Sequence, residues 1–224
     1  MVKPKVVSLE ESRPRRAGRA RAAHLGPERR RPLILDAALE VYVEHGYRGT
    51  SMQAVADAAG VTKPVVYECF PNKDELLLAL LDREERRLMD AIAASLPGDL
   101  ISDNVEAVLA AGLTAFLTGA GQAPNSWRVV FDAGFSSGSV VAERVRRVRE
   151  MVVGQLRELV RQYMALGGVD DIDRKAAVVA ELIASVCESC ARMLVLEHQP
   201  WTAPDLAAYV ARILARGLIG ARQP

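Results

Sequence analysis

The 224-residue chain is predicted to fold as an all-α protein. Apolar residues recur every three to four positions along most of its length, which is the helical period. Aromatic residues make up only 5% of the chain, while Ala, Leu, Val, Glu and Arg dominate, a helical rather than a β composition. Capping residues precede the periodic stretches and glycines follow them. Half of the residues are hydrophobic, enough for a sizeable core, and the length suits one large domain or two small ones.

Residues 1–26 carry Arg and Pro without periodicity and are expected to form a disordered basic arm. Up to Arg31, ten basic residues stand against three acidic ones, a net +7; the whole chain is +1, so the remainder is −6. A basic end ahead of an acidic body points to a polyanionic partner at one end of the molecule.

The first helix is predicted over 27–46, with Pro27 near its start and Leu33/Ile34, Ala37/Ala38 and Val41/Tyr42 on one stripe. Gly46 stops it. Thr50 with Gln53 reads as a capping box opening a second helix, Met52 to Ala59, which ends at Gly60. The Thr62 side chain caps a third, Lys63 to Cys69, with Pro64 tolerated in its first turn. Asn72 with Glu75 caps a fourth, from Lys73 to about Leu96, whose stripe runs through Leu77, Leu80/Leu81, Leu88 and Ile92. Its other face, Asp82, Arg83, Glu85 and Arg86, reads as solvated. Two helices of about two turns joined at Gly60-Val61 form a helix-turn-helix, in which the second helix enters the major groove and reads bases with its N-terminal residues.

Residues 31–77 resemble the DNA-binding domain of the TetR family, the tetracycline-repressor-like regulators of bacteria. The resemblance lies in the apolar first helix, Gly46-Tyr47, Thr50-Ser51-Met52, Val55-Ala56, Ala59-Gly60-Val61, Val66-Tyr67, Phe70, Lys73 and Glu75-Leu76. It implies a three-helix DNA-binding domain over 27–72 and a helical effector-binding and dimerisation domain over 73–224. Thr50 or Ser51 would bond a phosphate oxygen through hydroxyl and helix N-terminal amides. Gln53 would reach a phosphate or a base edge. Thr62 and Lys63 open the reading helix. Lys63 can donate to guanine, and Pro64 and Val65 can touch a thymine methyl. Tyr67 and Lys73 are similar to phosphate-binding residues of the family. Val55, Ala56, Val66 and Phe70 are expected in the core, and no contact is assigned to Glu68 or Cys69.

In the body, helices are expected from Ser102, from Asn125 through Phe131, from Ser139 to Gly167-Gly168, from Asp171 or Asp173 to about His198, and from Thr202 with Asp205. Few charges lie between residues 176 and 196, so that helix is expected to be buried. The resemblance implies a homodimer through the last two helices and a double-stranded, palindromic DNA operator. It also implies a small hydrophobic effector among the middle helices, where Phe116, Trp127, Phe131, Phe135, Met151 and Tyr163 are the candidates. The function it implies is a ligand-responsive repressor; the alternatives are a TetR-like activator or a non-repressing adaptor.

Two other patterns compete. Gly134-Phe135-Ser136-Ser137-Gly138 matches the G-x-S-x-G elbow of serine hydrolases, with Ser136 as nucleophile and residues 127–131 as a candidate strand, but no set of strands accompanies it. Cys187 and Cys190 lie three apart inside an apolar helix and read as small buried hydrophobes rather than zinc ligands. No cofactor fingerprint, metal cluster or catalytic constellation is assigned. No apolar run is expected to reach membrane-spanning length and no signal segment opens the chain, so a cytoplasmic location is expected.

Overall fold

The computed structural model describes residues 26–96, 104–132, 140–196 and 200–220. The basic arm up to residue 25, Ser102, Ser139, His198, Phe135 and the 134–138 elbow motif with Ser136 lie outside the described residues. Among the described residues every regular element is an α-helix: α1 (Pro27–Gly49), α2 (Met52–Ala59), α3 (Lys63–Cys69), α4 (Lys73–Ser95), α5 (Val105–Gln122), α6 (Pro124–Asp132), α7 (Val140–Leu166), α8 (Ile172–Leu196) and α9 (Ala203–Gly220). Two compact units divide between Leu76 and Leu77, one turn inside α4 rather than at its start. The first turn of α4 groups with the preceding helices because Lys73 donates from Nζ to the Tyr47 carbonyl at 2.7 Å.

In the first unit α1 packs against α2 and α3, and α2 against α3. Ile34, Ala37, Ala38, Val41 and Tyr42 supply the α1 side of the core; Val55, Ala56, Val66 and Phe70 supply the rest. Gly46 breaks the helical path as expected, with φ 67°, and one further turn follows it to Gly49. The cap of α2 is Ser51, not Thr50: the Ser51 hydroxyl accepts from the Ala54 amide at 3.1 Å. Thr50 is turned inward, its hydroxyl donating to the Gly46 carbonyl at 2.8 Å beside its own amide at 3.1 Å. Gly60, at φ 67°, closes α2 in the left-handed conformation that glycine adopts without a Cβ penalty. Thr62 opens α3 through its backbone only, its carbonyl accepting from Val65, with no side-chain cap. Pro64 removes one of the two amides such a cap would serve. Asn72 and Glu75 form the expected reciprocal box: the Glu75 amide donates to Asn72 Oδ1 at 2.9 Å and Asn72 Nδ2 to Glu75 Oε1 at 3.2 Å.

In the second unit α5 lies along α9 and α8, and α7 packs on α8. Small buried residues make the contacts: Ala115 and Ala120 of α5, Ala176 and Ala180 of α8, Ala207, Ala211 and Ala215 of α9. Alanine faces let helix axes approach. α5 approaches α4 closely at Gly119, where an added Cβ would lie 2.7 Å from the Ile92 backbone. α5 meets the lower length and composition limits for a membrane span, contrary to expectation; here it is the helix against which α8 and α9 pack. Its cap is Asn104, whose side chain accepts from Glu106 and Ala107 amides. α6 begins at Pro124, with the Trp127 amide donating to the Ala123 carbonyl, so Asn125 is not its cap. The segment 127–131 is helical, which removes the strand that a nucleophile elbow needs. Gly168, at φ 65°, ends α7; Asp171, whose carbonyl accepts from Lys175, opens α8. Arg149 ties this hairpin, donating to Glu188 at 2.8 Å and Glu181 at 2.6 Å. Thr202 and Asp205 cap α9 as expected.

α8 departs from expectation in one respect. Val178 is 60% and Leu182 55% exposed, so within its own chain this helix keeps an apolar outward stripe. On α9, Tyr209 and Ile213 are exposed in the same way.

The α4–α5 contact yields a paired prediction. Gly119→Ala should destabilise the second unit by about 1–3 kcal/mol, because backbone rather than a flexible side chain must move. Gly112→Ala, on the same helix with nothing within 4 Å of the new Cβ, should stabilise by about 0.4–1 kcal/mol. Urea unfolding midpoints check both, and equal effects would show that the Gly119 contact does not limit packing.

Candidate DNA interface and effector region

The seven residues of α3 divide cleanly. Val66 and Cys69, with Phe70 after them, are buried; Thr62, Lys63, Pro64, Tyr67 and Glu68 are exposed, and Val65 is half-buried. The buried set fixes the helix by its underside and turns Lys63, Pro64 and Tyr67 outward. Lys63 and Tyr67 are four apart and share a face, the ammonium lying 5.9 Å from the ring centroid.

The other end of α3 is held by the first turns of α1. Arg31 donates to the Cys69 carbonyl at 2.6 Å and its guanidinium lies 4.3 Å from the Phe70 ring centroid. Arg30 pairs with Glu68 at 2.8 Å. Two cations at a helix C-terminus also oppose the negative end of its dipole. This arrangement accounts for Glu68, an acid on a helix expected to face phosphates: its charge is engaged by Arg30. The Cys69 thiol donates to the Pro27 carbonyl at 3.7 Å, and burial pushes its pKa up, so it stays protonated. Arg30 and Arg31 were counted in the sequence only as part of a basic tract. Their pairing across 38 residues leaves no local signal.

Around α3 lie the remaining predicted contacts. Ser51 is exposed at the start of α2. Gln53, also exposed, donates from Nε2 to Asp57 at 3.0 Å. Thr50 is 1% exposed and its hydroxyl is engaged by Gly46, which leaves Ser51 as the outward hydroxyl of the pair. Lys73 is half-buried: besides its bond to Tyr47, its ammonium sits 4.6 Å from the Tyr47 ring centroid. Burial lowers its pKa, against the pull of Asp74. An ammonium has three N–H donors, so the Tyr47 carbonyl does not exhaust it.

In the second unit the predicted aromatic set is dispersed. Trp127 is buried and stacks on half-buried Phe131, centroids 5.0 Å apart. Phe116 and Tyr163 are half-buried. Met151 is 56% exposed and lies off the inward stripe of α7, which runs through Val141 and Val148. Among the described residues, one cleft of about 340 Å³ is lined by Arg157, Glu158, Arg161, Asp173 and Ala176, and one of about 220 Å³ lies beside Asn104, Ala107, Ala208 and Arg212. Of the described candidates, Phe116, Trp127, Phe131 and Tyr163 line neither.

A buried carboxylate was missed. Glu84 is 0% exposed on α4 and accepts from Ser126 of α6 at 2.6 Å, from Arg83 at 2.7 Å and from Arg87 at 3.2 Å. The signal was present in the spacing, since Glu84 falls between Leu81 and Leu88 on the apolar stripe. The face read as solvated is also partly engaged: Arg144 of α7 pairs with Asp82 and Glu85. On α8, burial, then neighbouring Cys190 and Glu188, push the Cys187 thiol up to about 12, and burial raises Cys190, so both remain neutral thiols.

Comparison with known proteins agrees with this geometry. Residues 34–80 match the family described as bacterial regulatory proteins, tetR family. The transcriptional activator FasR of Mycolicibacterium smegmatis is 29% identical over 190 residues, 85% of this chain and 83% of that protein. The transcriptional repressor KstR of Mycobacterium tuberculosis is 42% identical over 59 residues, 26% of this chain and 27% of that one. A TetR-like regulator from Rhodococcus sp. RHA1 superposes with a TM-score of 0.68 at 26% identity, covering 88% of this chain and all of that one. FadR from Bacillus subtilis, solved in complex with stearoyl-CoA, shares the fold with a TM-score of 0.62 at 19% identity, over 83% of this chain and 98% of its own. The outward reading face lies within residues 34–80, which match the tetR family, and the chain resembles regulators of that family over most of its length, as a DNA-binding transcriptional regulator.

Proposed function

We propose that the chain is a ligand-responsive repressor that binds a palindromic operator as a homodimer. The observation that carries the DNA-binding part is the outward face of α3, Lys63, Pro64 and Tyr67 raised on a buried underside. In this reading Lys63 and Pro64, with Val65 and Thr62, meet base edges in the major groove. Ser51, Gln53, Tyr67 and Lys73 meet the phosphate backbone, and Thr50 serves the fold. Residues 1–26 form the basic arm, 27–72 the reading domain, and 73–224 the effector and dimerisation domain. The stripes of Val178 and Leu182 on α8 and of Tyr209 and Ile213 on α9 support a second copy as their cover, which would give the two-fold symmetry a palindrome requires. The named repressor KstR, 42% identical over 59 residues, supports the repressor reading. An activator is the second reading, favoured by the match to FasR along most of the chain.

The effector is taken to be hydrophobic, an acyl compound being supported by the stearoyl-CoA complex of the Bacillus subtilis fold neighbour. Such a ligand changes operator affinity only through its unequal affinity for two states of the dimer. Action on chromosomal DNA implies a cytoplasmic site of work, and no catalytic step is assigned.

Selection of random duplex DNA by the purified protein tests the reading, with an inverted repeat as the expected product. Loss of preference for any sequence by a folded dimer would overturn it. On the selected site, Lys63→Ala should relax one base position by about 1–3 kcal/mol. Lys73→Ala should weaken all sequences alike and reduce the salt slope by about one. Uniform weakening by both variants would show that Lys63 does not read bases. Leu182→Arg should shift the protein to monomer in sedimentation and weaken operator binding; an unchanged dimer would place the interface elsewhere. Transcription from the mapped site, with and without the protein, separates repressor from activator.

A further inference from the structure

We propose that the indole N–H of Trp127, on α6, holds an oxygen acceptor of the effector, a carboxylate or thioester carbonyl at the head of an apolar chain. The inference rests on reading the second unit as an effector domain. Trp127 is 3% exposed, and its Nε1 is covered with no acceptor among the described residues. The large majority of buried polar groups in folded proteins are paired, and an unpaired one carries an uncompensated desolvation cost. An indole N–H can only donate, so only an acceptor satisfies it.

The neighbouring carboxylate is engaged by other donors. Glu84, bonded to the adjacent Ser126, receives Ser126 on Oε2 and both Arg83 and Arg87 on Oε1. The residue after Trp127 repeats the pattern: Arg128 Nε is also covered, with no partner among the described residues. Consecutive residues of a helix do not face each other, so Arg128 is a second, separately directed donor on α6, and a guanidinium favours an anionic oxygen. Beside the donor, the Trp127 ring stacks on Phe131, an apolar wall suited to a hydrocarbon chain. A donor for oxygen and stacked rings for carbon on one helix suit an amphipathic acyl ligand rather than a wholly apolar one.

The chain has two tryptophans, so Trp201→Phe leaves Trp127 as the sole indole while retaining a ring against Tyr209. This variant is titrated with stearate and with stearoyl-CoA, following indole emission and release of the selected operator. The expected result is an emission change that saturates at the concentrations that release DNA. Response to stearate assigns a carboxylate; response to stearoyl-CoA alone assigns a thioester. Trp127→Phe, which keeps an aromatic ring beside Phe131 and removes the donor, should bind the active ligand about tenfold more weakly. Operator release without any change in Trp127 emission, or with full ligand affinity in Trp127→Phe, would overturn the assignment while leaving an acyl-responsive regulator intact. No binding of either compound by either readout would remove the acyl effector together with its anchor. Should Trp127→Phe fail to fold, the emission titration decides alone.

Discussion

A helix of seven residues cannot hold its shape alone in water, because nucleation consumes most of what so few hydrogen bonds return. The reading helix α3 is such a helix, and the first unit is arranged around keeping it formed. Val66 and Phe70 bury its underside. Gly60 supplies the left-handed residue that lets α2 stop one link before α3 begins. Arg31 closes the far end with a hydrogen bond to the last helical carbonyl and a guanidinium laid on Phe70. With the underside fixed, the outward side chains need carry no part of the fold. A surface free of structural duty can vary with the DNA it reads.

The same division of labour explains which polar groups near the reading helix serve binding and which serve the fold. Thr50 and Ser51 are adjacent hydroxyls, but only one can face inward. The carbonyl of Gly46, released by the break in α1, takes the Thr50 hydroxyl, and Ser51 is left to cap α2. Lys73 stands between the two roles, with one donor on Tyr47 and its ammonium partly desolvated. In the second unit Glu84 shows the inverse case. A carboxylate in the apolar stripe of α4 is tolerated because three donors surround it.

Much of this was legible in the sequence because it depends on neighbours in sequence. Periodicity located the helices, and the Asn72–Glu75 and Thr202–Asp205 boxes appear as the spacing predicts. The family resemblance rests on such local features too. What escaped depends on distant partners. Thr50 and Ser51 could not be told apart because the deciding group is a carbonyl freed by a backbone turn. Asn125 lost its role as a cap because Pro124 already begins the helix. Met151 lies on a helix with charges on several faces, where period alone does not say which side meets α8. Trp127 was recognised as an aromatic candidate, but its unpaired N–H is a three-dimensional fact.

The ties of the first unit are short along the chain, Arg30 to Glu68 spanning 38 residues. The second unit is built differently: its most extensive packing joins the segment 105–122 to the segment 203–220. Closing long loops slows folding, and domains made on the ribosome fold in order of synthesis. The reading unit is therefore complete while α9 is still to be made. A chain interrupted late in translation would leave a folded, basic, DNA-seeking fragment with no means of responding to a ligand.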